Sequence, residues 1–220
     1  MIKDAPIRYR NGDYSIVCLN CNHEQLELQT PTSFEYFEKT PYLDDFREGM
    51  ETEYFETKFQ KCENCDNFAP TLKMNWARKI RYDETLKKLW ESDKPELEKR
   101  FLLAHMIEPS FQTVLDLYWY YDFNDQPKEA SKLREKLMKE YKEAYEDEQS
   151  LYGLRMYVEL LRREGEFRKA IRLAKKGKFL PNNEINRELA FSSPYELDML
   201  EQEIALCKEK NSARALFVKK

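Results

Sequence analysis

The chain has 220 residues, 35% of them charged, with 41 acidic against 37 basic side chains and a formal net charge of −4. That length holds one large domain or two small ones, and the acidic balance makes it a poor general binder of polyanions. No run approaches the roughly 18–20 apolar residues of a membrane span, and residues 1–14 lack the apolar stretch of a signal peptide, so the expected setting is cytoplasmic, away from membranes.

The chain changes character near Ala69-Pro70. Before it, short β-like segments are predicted. Residues 14–17 lead straight into Cys18-Leu-Asn-Cys21, and residues 25–29 make a return strand. Residues 54–60 alternate with period two, Phe55, Thr57 and Phe59 on one face, and deliver the chain into Cys62-Glu-Asn-Cys65. Each CxxC pair thus sits on a turn after a strand. Two such knuckles supply four soft sulfur ligands, the set that Zn²⁺ takes in closed structural sites. Cys18, Cys21, Cys62 and Cys65 are the predicted metal ligands. Four thiolates suit iron as well.

Other uses of these thiols fit less well. Redox chemistry of the thioredoxin type needs a CxxC at a helix N-terminus. Here the pairs follow strands, and Glu24, Glu63 and Asp66 are expected to raise the thiol pKa values. A catalytic zinc needs an open coordination position, which four thiolates close. His23 is read as a surface residue bonding to its knuckle, although it could stand in for a cysteine. The fifth cysteine, Cys207, has helical spacing from Leu200 and Ile204 and reads as a small buried hydrophobe. An odd cysteine count with CxxC spacing argues against a secreted disulfide framework.

Forty residues separate Cys21 from Cys62. Within that insertion, residues 35–56 carry eight acids against two bases, an acidic, solvated flap.

Beyond residue 70, seven or eight helices are predicted. They cover residues 76–90, 96–106, 110–123, 127–147, 151–163 and 166–176, a short piece at 185–189, and a last helix from Ser193-Pro194 to about residue 210. Pro95 and Pro127 fall at first turns, Ser110 and Ser150 at caps, and Gly165 at a helix end. The helix-turn-helix at 111–141 repeats at 151–176, about 40 residues on. Each second helix opens with a small residue, Ala130 or Ala170, where two helices approach closely. This is the logic of tetratricopeptide-like hairpins. Two units are fewer than the three that usually stand alone, so flanking helices must cap the stack.

Four blocks carry a wider resemblance: Cys18-Leu-Asn-Cys21, Phe59-Gln-Lys-Cys-Glu-Asn-Cys65, Leu115-Asp-Leu-Tyr-Trp-Tyr-Tyr121 and Glu159-Leu-Leu-Arg-Arg-Glu-Gly-Glu-Phe-Arg-Lys-Ala170. Over residues 14–178 the chain resembles a family of uncharacterised bacterial proteins that join an N-terminal CxxC…CxxC segment to a tetratricopeptide-like helical region. The resemblance implies a two-part architecture and no particular activity. Asn22 and Asp66 stand where a glycine is expected after each CxxC, and both residue types tolerate positive φ.

The expected fold class is therefore mainly α: a zinc ribbon with an acidic insertion over residues 1–70, then a tetratricopeptide-like helical bundle over 71–220. No phosphate loop, nucleophile elbow or HExxH helix is present, and His105 reads as a satisfied, half-buried histidine. The expected function is a non-enzymatic, zinc-binding scaffold or adaptor. Its helical surface would take a protein or peptide partner through Tyr118, Tyr121, Arg155, Arg162, Arg168 and Arg172. The alternative is a nucleic-acid-associated factor using the ribbon and the basic stripe 155–178, which holds nine bases against three acids. That stripe could equally meet the chain's own acidic insertion. A third class, a hydrolase or transferase, would need a deep pocket joining His105 to Glu108 or Asp116.

Overall fold

A computed structural model describes residues 15–26, 43, 58–65, 67–148, 150–177, 196–215 and 218, which are mainly helical. The chain divides into two compact units, Met1–Lys39 with Gly49–Phe123, and Thr40–Glu48 with Asn124–Lys220. Among the described residues no helix is long and apolar enough to cross a membrane.

The first unit holds two short antiparallel hairpins. β1 (Ser15–Val17) pairs with β2 (Glu24–Leu26), Ile16 facing Gln25; β3 (Gln60–Lys61) pairs with β4 (Phe68–Ala69). Residues 54–57 of the third predicted strand lie outside the described residues. Four helices follow: α1 (Trp76–Tyr82), α2 (Glu84–Trp90), α3 (Glu96–Ile107) and α4 (Phe111–Phe123). The helix expected over 76–90 is thus two. Asp83 is extended, ends α1, and caps α2 by accepting from Thr85 N at 2.8 Å and Leu86 N at 3.1 Å. Apolar spacing runs through that break, while the capping chemistry of Asp83 makes it.

The expected boundary at residue 70 falls inside this unit. Ring packing explains why. Phe59 lies 5.9 Å from Trp76 and 5.2 Å from Phe101 between ring centroids. Phe68 stacks on Trp90 at 5.2 Å, and Phe101 stacks on Tyr120 at 5.6 Å. A continuous set of aromatic contacts therefore joins the second hairpin to α1, α2, α3 and α4. Composition changes at residue 70 because strand gives way to helix, and the core continues across it.

The second unit contains α5 (Pro127–Glu148), α6 (Leu151–Arg163), α7 (Phe167–Gly177) and α8 (Glu196–Lys208). The helix expected at 185–189 and the Ser193-Pro194 cap lie outside the described residues. α6 is central and packs against α5, α7 and α8, which is why residues 153–162 are buried without interruption. Ser150 caps it by accepting from Gly153 N at 3.0 Å. Its end is a Schellman turn: Glu166 N donates to Leu161 O at 2.8 Å and Gly165 N to Arg162 O at 2.9 Å, with Gly165 at φ +78°. Ala130 and Ala170 are fully buried, as the close approach requires. Gly153 adds another close approach: a Cβ there would stand 3.1 Å from Ala144 Cβ and 3.2 Å from Tyr145 N.

Candidate metal centre

The first knuckle is shaped by backbone bonds. Cys18 N donates to His23 O and Asn22 N donates to Cys18 O, both at 2.8 Å, and Asn22 adopts φ +59°. An asparagine thus takes the left-handed position where a glycine is usual. In the second knuckle Cys62 N donates to Asn67 O at 2.8 Å; Asp66 lies outside the described residues. Gln25 ties the two together, donating to Lys61 O and accepting from Glu63 N, each at 2.8 Å. Leu19 N donates to Leu72 O at 2.9 Å. The sulfurs close over a small cluster of Ile16 and Leu72.

This framework brings Cys18, Cys21, Cys62 and Cys65 together, with all four sulfurs within 4.8 Å of one another. Cys18 and Cys65 sulfurs are 3.8 Å apart, Cys21 and Cys62 sulfurs 3.6 Å. A tetrahedron with metal–sulfur bonds of about 2.3 Å has edges of about 3.8 Å, so these spacings fit one ion held by four thiolates. All four are free cysteines, and a disulfide would need sulfurs about 2.0 Å apart.

Each sulfur also has an N–H donor. Asn20 Nδ2 reaches Cys65 at 3.3 Å, Asn67 Nδ2 reaches Cys18 at 3.7 Å, and Asn64 N reaches Cys62 at 3.4 Å. The His23 backbone serves Cys21, and with Asn64 it pulls that thiol down to about 6. Burial pushes Cys62 the other way, up to about 12. At Cys21 and Cys62, hydrogen bonds and burial set the shift, rather than the neighbouring acids invoked from sequence. Donors around the sulfur shell stabilise thiolates and fix their orientation. Asn67 does most of the positioning. Fully buried, it also donates to Met74 O and accepts from Ala77 N, both at 2.9 Å, which fastens the centre to the start of α1.

His23 stays outside the sulfur cluster, half-buried, with Nε2 4.0 Å from Glu63. His105 Nδ1 lies 3.0 Å from Thr113 Oγ1. Asp116 is buried and pairs with Lys58 at 3.0 Å. Cys207 is buried, and burial first, then the charge of Glu203, pushes its thiol up to about 12.

The expected partner surface needs correction. Tyr118 and Tyr121 are buried in α4, and Arg155 and Arg162 are 0% exposed. Four consecutive aromatics point around more than half of a helix, so core packing is expected for most of them and a groove for one or two; α4 buries every side chain from Leu115 to Tyr121, which leaves none for a groove. Arg155 pairs with Glu196 and donates to Leu43 O. Arg162 Nε donates to Glu203 at 2.7 Å and Nη2 to Glu159 at 2.6 Å; Nη1 holds Asn211 O and Ala213 O at 2.8 and 2.7 Å. Two arginines of the basic stripe are thus internal ion-pair partners, and one of them meets the insertion through a backbone carbonyl. Arg168 and Arg172 are exposed. An open groove of about 450 Å³ in the second unit is lined by Met138, Tyr157 and Leu161, with Lys139, Lys142 and Lys169 and the acids Glu135 and Glu166 around them. A second, of about 240 Å³, is lined by Ala174, Leu197, Leu200 and Ile204 with Glu201. Neither reaches His105, Glu108 or Asp116.

Fold and site together define a mainly helical chain with a four-cysteine cluster able to hold a metal ion. Set against protein-family models, curated proteins and solved structures, the chain matches none of them.

Proposed function

We propose that the protein is a non-enzymatic scaffold with a structural Zn²⁺ in a ribbon formed by its two knuckles, and a tetratricopeptide-like helical unit that takes a protein or peptide partner. The observation that carries the metal reading is the sulfur tetrahedron, whose edges of 3.6 and 3.8 Å suit one ion. The first hairpin has little core of its own: strands of three residues pack Ile16 and Leu72 against the cysteines. Metal binding supplies what their burial does not, on the order of 10 kcal/mol or more in small zinc modules.

The helical hairpins α5–α6 and α6–α7 support the partner reading, because stacked hairpins leave grooves. The groove beside Tyr157 replaces the surface expected at Tyr118 and Tyr121. Its charged rim is mixed, Lys139, Lys142 and Lys169 against Glu135 and Glu166, which suits a partner that presents an apolar side chain flanked by polar groups. A nucleic-acid role is less favoured, since Arg155 and Arg162 are spent inside the helical unit and the chain is net acidic.

The test is metal analysis of full-length protein purified without added metal. One zinc per chain is expected. A colourless protein with no bound metal would sink the reading, and a pink or brown one would replace zinc by iron.

A further inference from the structure

The two knuckles share more than their cysteines. Both read Cys-x-Asn-Cys, with Asn20 and Asn64 each standing just before the second thiol. Asn20 Nδ2 reaches across to the Cys65 sulfur at 3.3 Å. In return, the Asn64 side chain hydrogen-bonds the Cys21 sulfur. Each knuckle thus lends one amide to the last cysteine of the other.

The recipients are the sulfurs that stand open. Cys18 and Cys62 are 0% and 2% exposed, whereas Cys21 and Cys65 are only half-buried. An attacking reagent or a competing ligand therefore meets Cys21 and Cys65 first. Four thiolates on one divalent ion leave the cluster net negative. Lys61, beside Cys62, is turned instead to Glu96 at 2.8 Å. Apart from the thiols themselves, the hydrogen-bond donors that reach these sulfurs among the described residues are amides. An N–H donor draws electron density from a thiolate, which lowers its nucleophilicity and fixes its direction.

We propose that Asn20 and Asn64 are a reciprocal pair of positioning residues that keep Cys21 and Cys65 on the metal and shield their sulfurs from electrophiles, so that the centre holds its ion against alkylation and competing chelators. This rests on the metal reading and adds to it what governs release of the ion. It gives Asn20 and Asn64 a task distinct from that of Asn67, whose side chain also fastens the start of α1. Asn20 is half-buried and Asn64 exposed, so truncating either leaves no hole in a core.

The test compares full-length wild type with Asn20→Ala, Asn64→Ala, the double variant and the control Leu19→Ala, an exposed position in the same turn. Iodoacetamide is added to zinc-loaded protein beside a chromogenic chelator. A thiolate sulfur bonds to the methylene carbon, iodide leaves, and the neutral thioether gives up the zinc to the chelator. Release from the double variant is expected to be at least about tenfold faster than from wild type, with the single variants between and Leu19→Ala like wild type. Co²⁺ loaded in place of zinc separates this from a collapsed site. The ligand-field bands of a tetrahedral thiolate centre should keep their positions, while the sulfur-to-cobalt charge-transfer band moves to longer wavelength as the sulfurs lose their donors. Unchanged release, an unmoved charge-transfer band, or displaced ligand-field bands in the double variant overturns the amide pair alone. Wild type that takes up neither zinc nor cobalt overturns the metal reading itself.

Discussion

The two knuckles and the helices around α6 both bury atoms that water would solvate well, by opposite means. The knuckle region has strands of two or three residues and a cluster of Ile16 and Leu72 against four thiols. The helical unit has ten consecutive buried residues in α6, among them Arg155, Glu159 and Arg162. One region gathers negative charge and leaves a cation to be supplied. The other carries its own cations and matches them with Glu159, Glu196 and Glu203. The stability of the first should depend on metal supply, and that of the second on proton supply.

The largest expected effect tests the first dependence. Cys62→Ser, or a strong chelator, removes a ligand set whose metal contributes on the order of 10 kcal/mol or more in small zinc modules. The knuckles should unfold, with loss of near-ultraviolet signal from the aromatic contacts of Phe59 and Phe68. The helices of the second unit should persist in far-ultraviolet circular dichroism. Complete loss of helical signal would mean that the two units do not unfold independently.

The second dependence is tested inside α6. Arg162→Ala leaves Glu159 and Glu203 buried without their cation and should cost about 3–5 kcal/mol in urea denaturation of the helical unit. The pH response has a definite sign. Burial opposes ionising Glu159, but the charge of Arg162, a hydrogen bond with Glu203 and the charge of Arg163 hold it below the ordinary range. Burial, then the charge of Glu159, holds Glu203 well above that range. The two carboxylates titrate as a pair around Arg162, with Glu203 the more readily protonated member. A raised carboxyl stabilises fully below its unfolded pKa, about 4.3, and loses that contribution as pH rises through its folded value. Glu159 behaves in reverse: its contribution is present above the unfolded value and is lost as pH falls through the lowered one. Glu203→Gln removes the alkaline loss. Its stability relative to wild type should grow by up to about 1.4 kcal/mol per pH unit above 4.3, until the folded value of Glu203 is passed. A pH-independent difference would show Glu203 ionised.

A smaller effect belongs to Asn67, which bonds Cys18, Met74 and Ala77 at once. Asn67→Ala should lower metal affinity by about 10–100-fold in a chelator competition and destabilise the first unit by about 1–3 kcal/mol. The conservative Asn67→Asp keeps the acceptor for Ala77 N, loses the donors, and adds charge beside four thiolates. It should weaken metal binding at least as much.

The cysteine ligands were legible because CxxC chemistry is local: two thiols on one turn point the same way whatever else the chain does. Helix positions were legible for the same reason, through Ser110, Ser150, Pro127 and Gly165. Missed features depend on distant partners. Tyr118 and Arg162 have the composition of a surface, and only the packing of neighbouring helices makes them interior. Leu43 meets Arg155 across 112 positions of chain, a pairing that no window of sequence contains. Asp83 is the exception, since a capping residue followed by Glu84 inside an apolar pattern was a local signal that periodicity overrode.

The smallest effects compare one backbone conformation in both regions. Gly165 ends α6 at φ +78° and Asn22 turns the first knuckle at φ +59°. A Cβ at Gly165 would have Phe167 Cε2, 4.0 Å away, as its neighbour, so Gly165→Ala costs backbone strain and little else. That strain is about 1–2 kcal/mol, offset by up to about 1 kcal/mol from the stiffer unfolded chain. A net loss near 1 kcal/mol should appear in the urea transition of the helical unit. Asn22→Gly reverses the argument. It relieves an asparagine that tolerates this region well and makes the unfolded chain more flexible, so the terms nearly cancel. Metal affinity should change by less than about threefold, within 0.7 kcal/mol. A large loss at Asn22 would mean that its side chain, and not its backbone, shapes the knuckle. The two regions would then differ even where their dihedral angles agree.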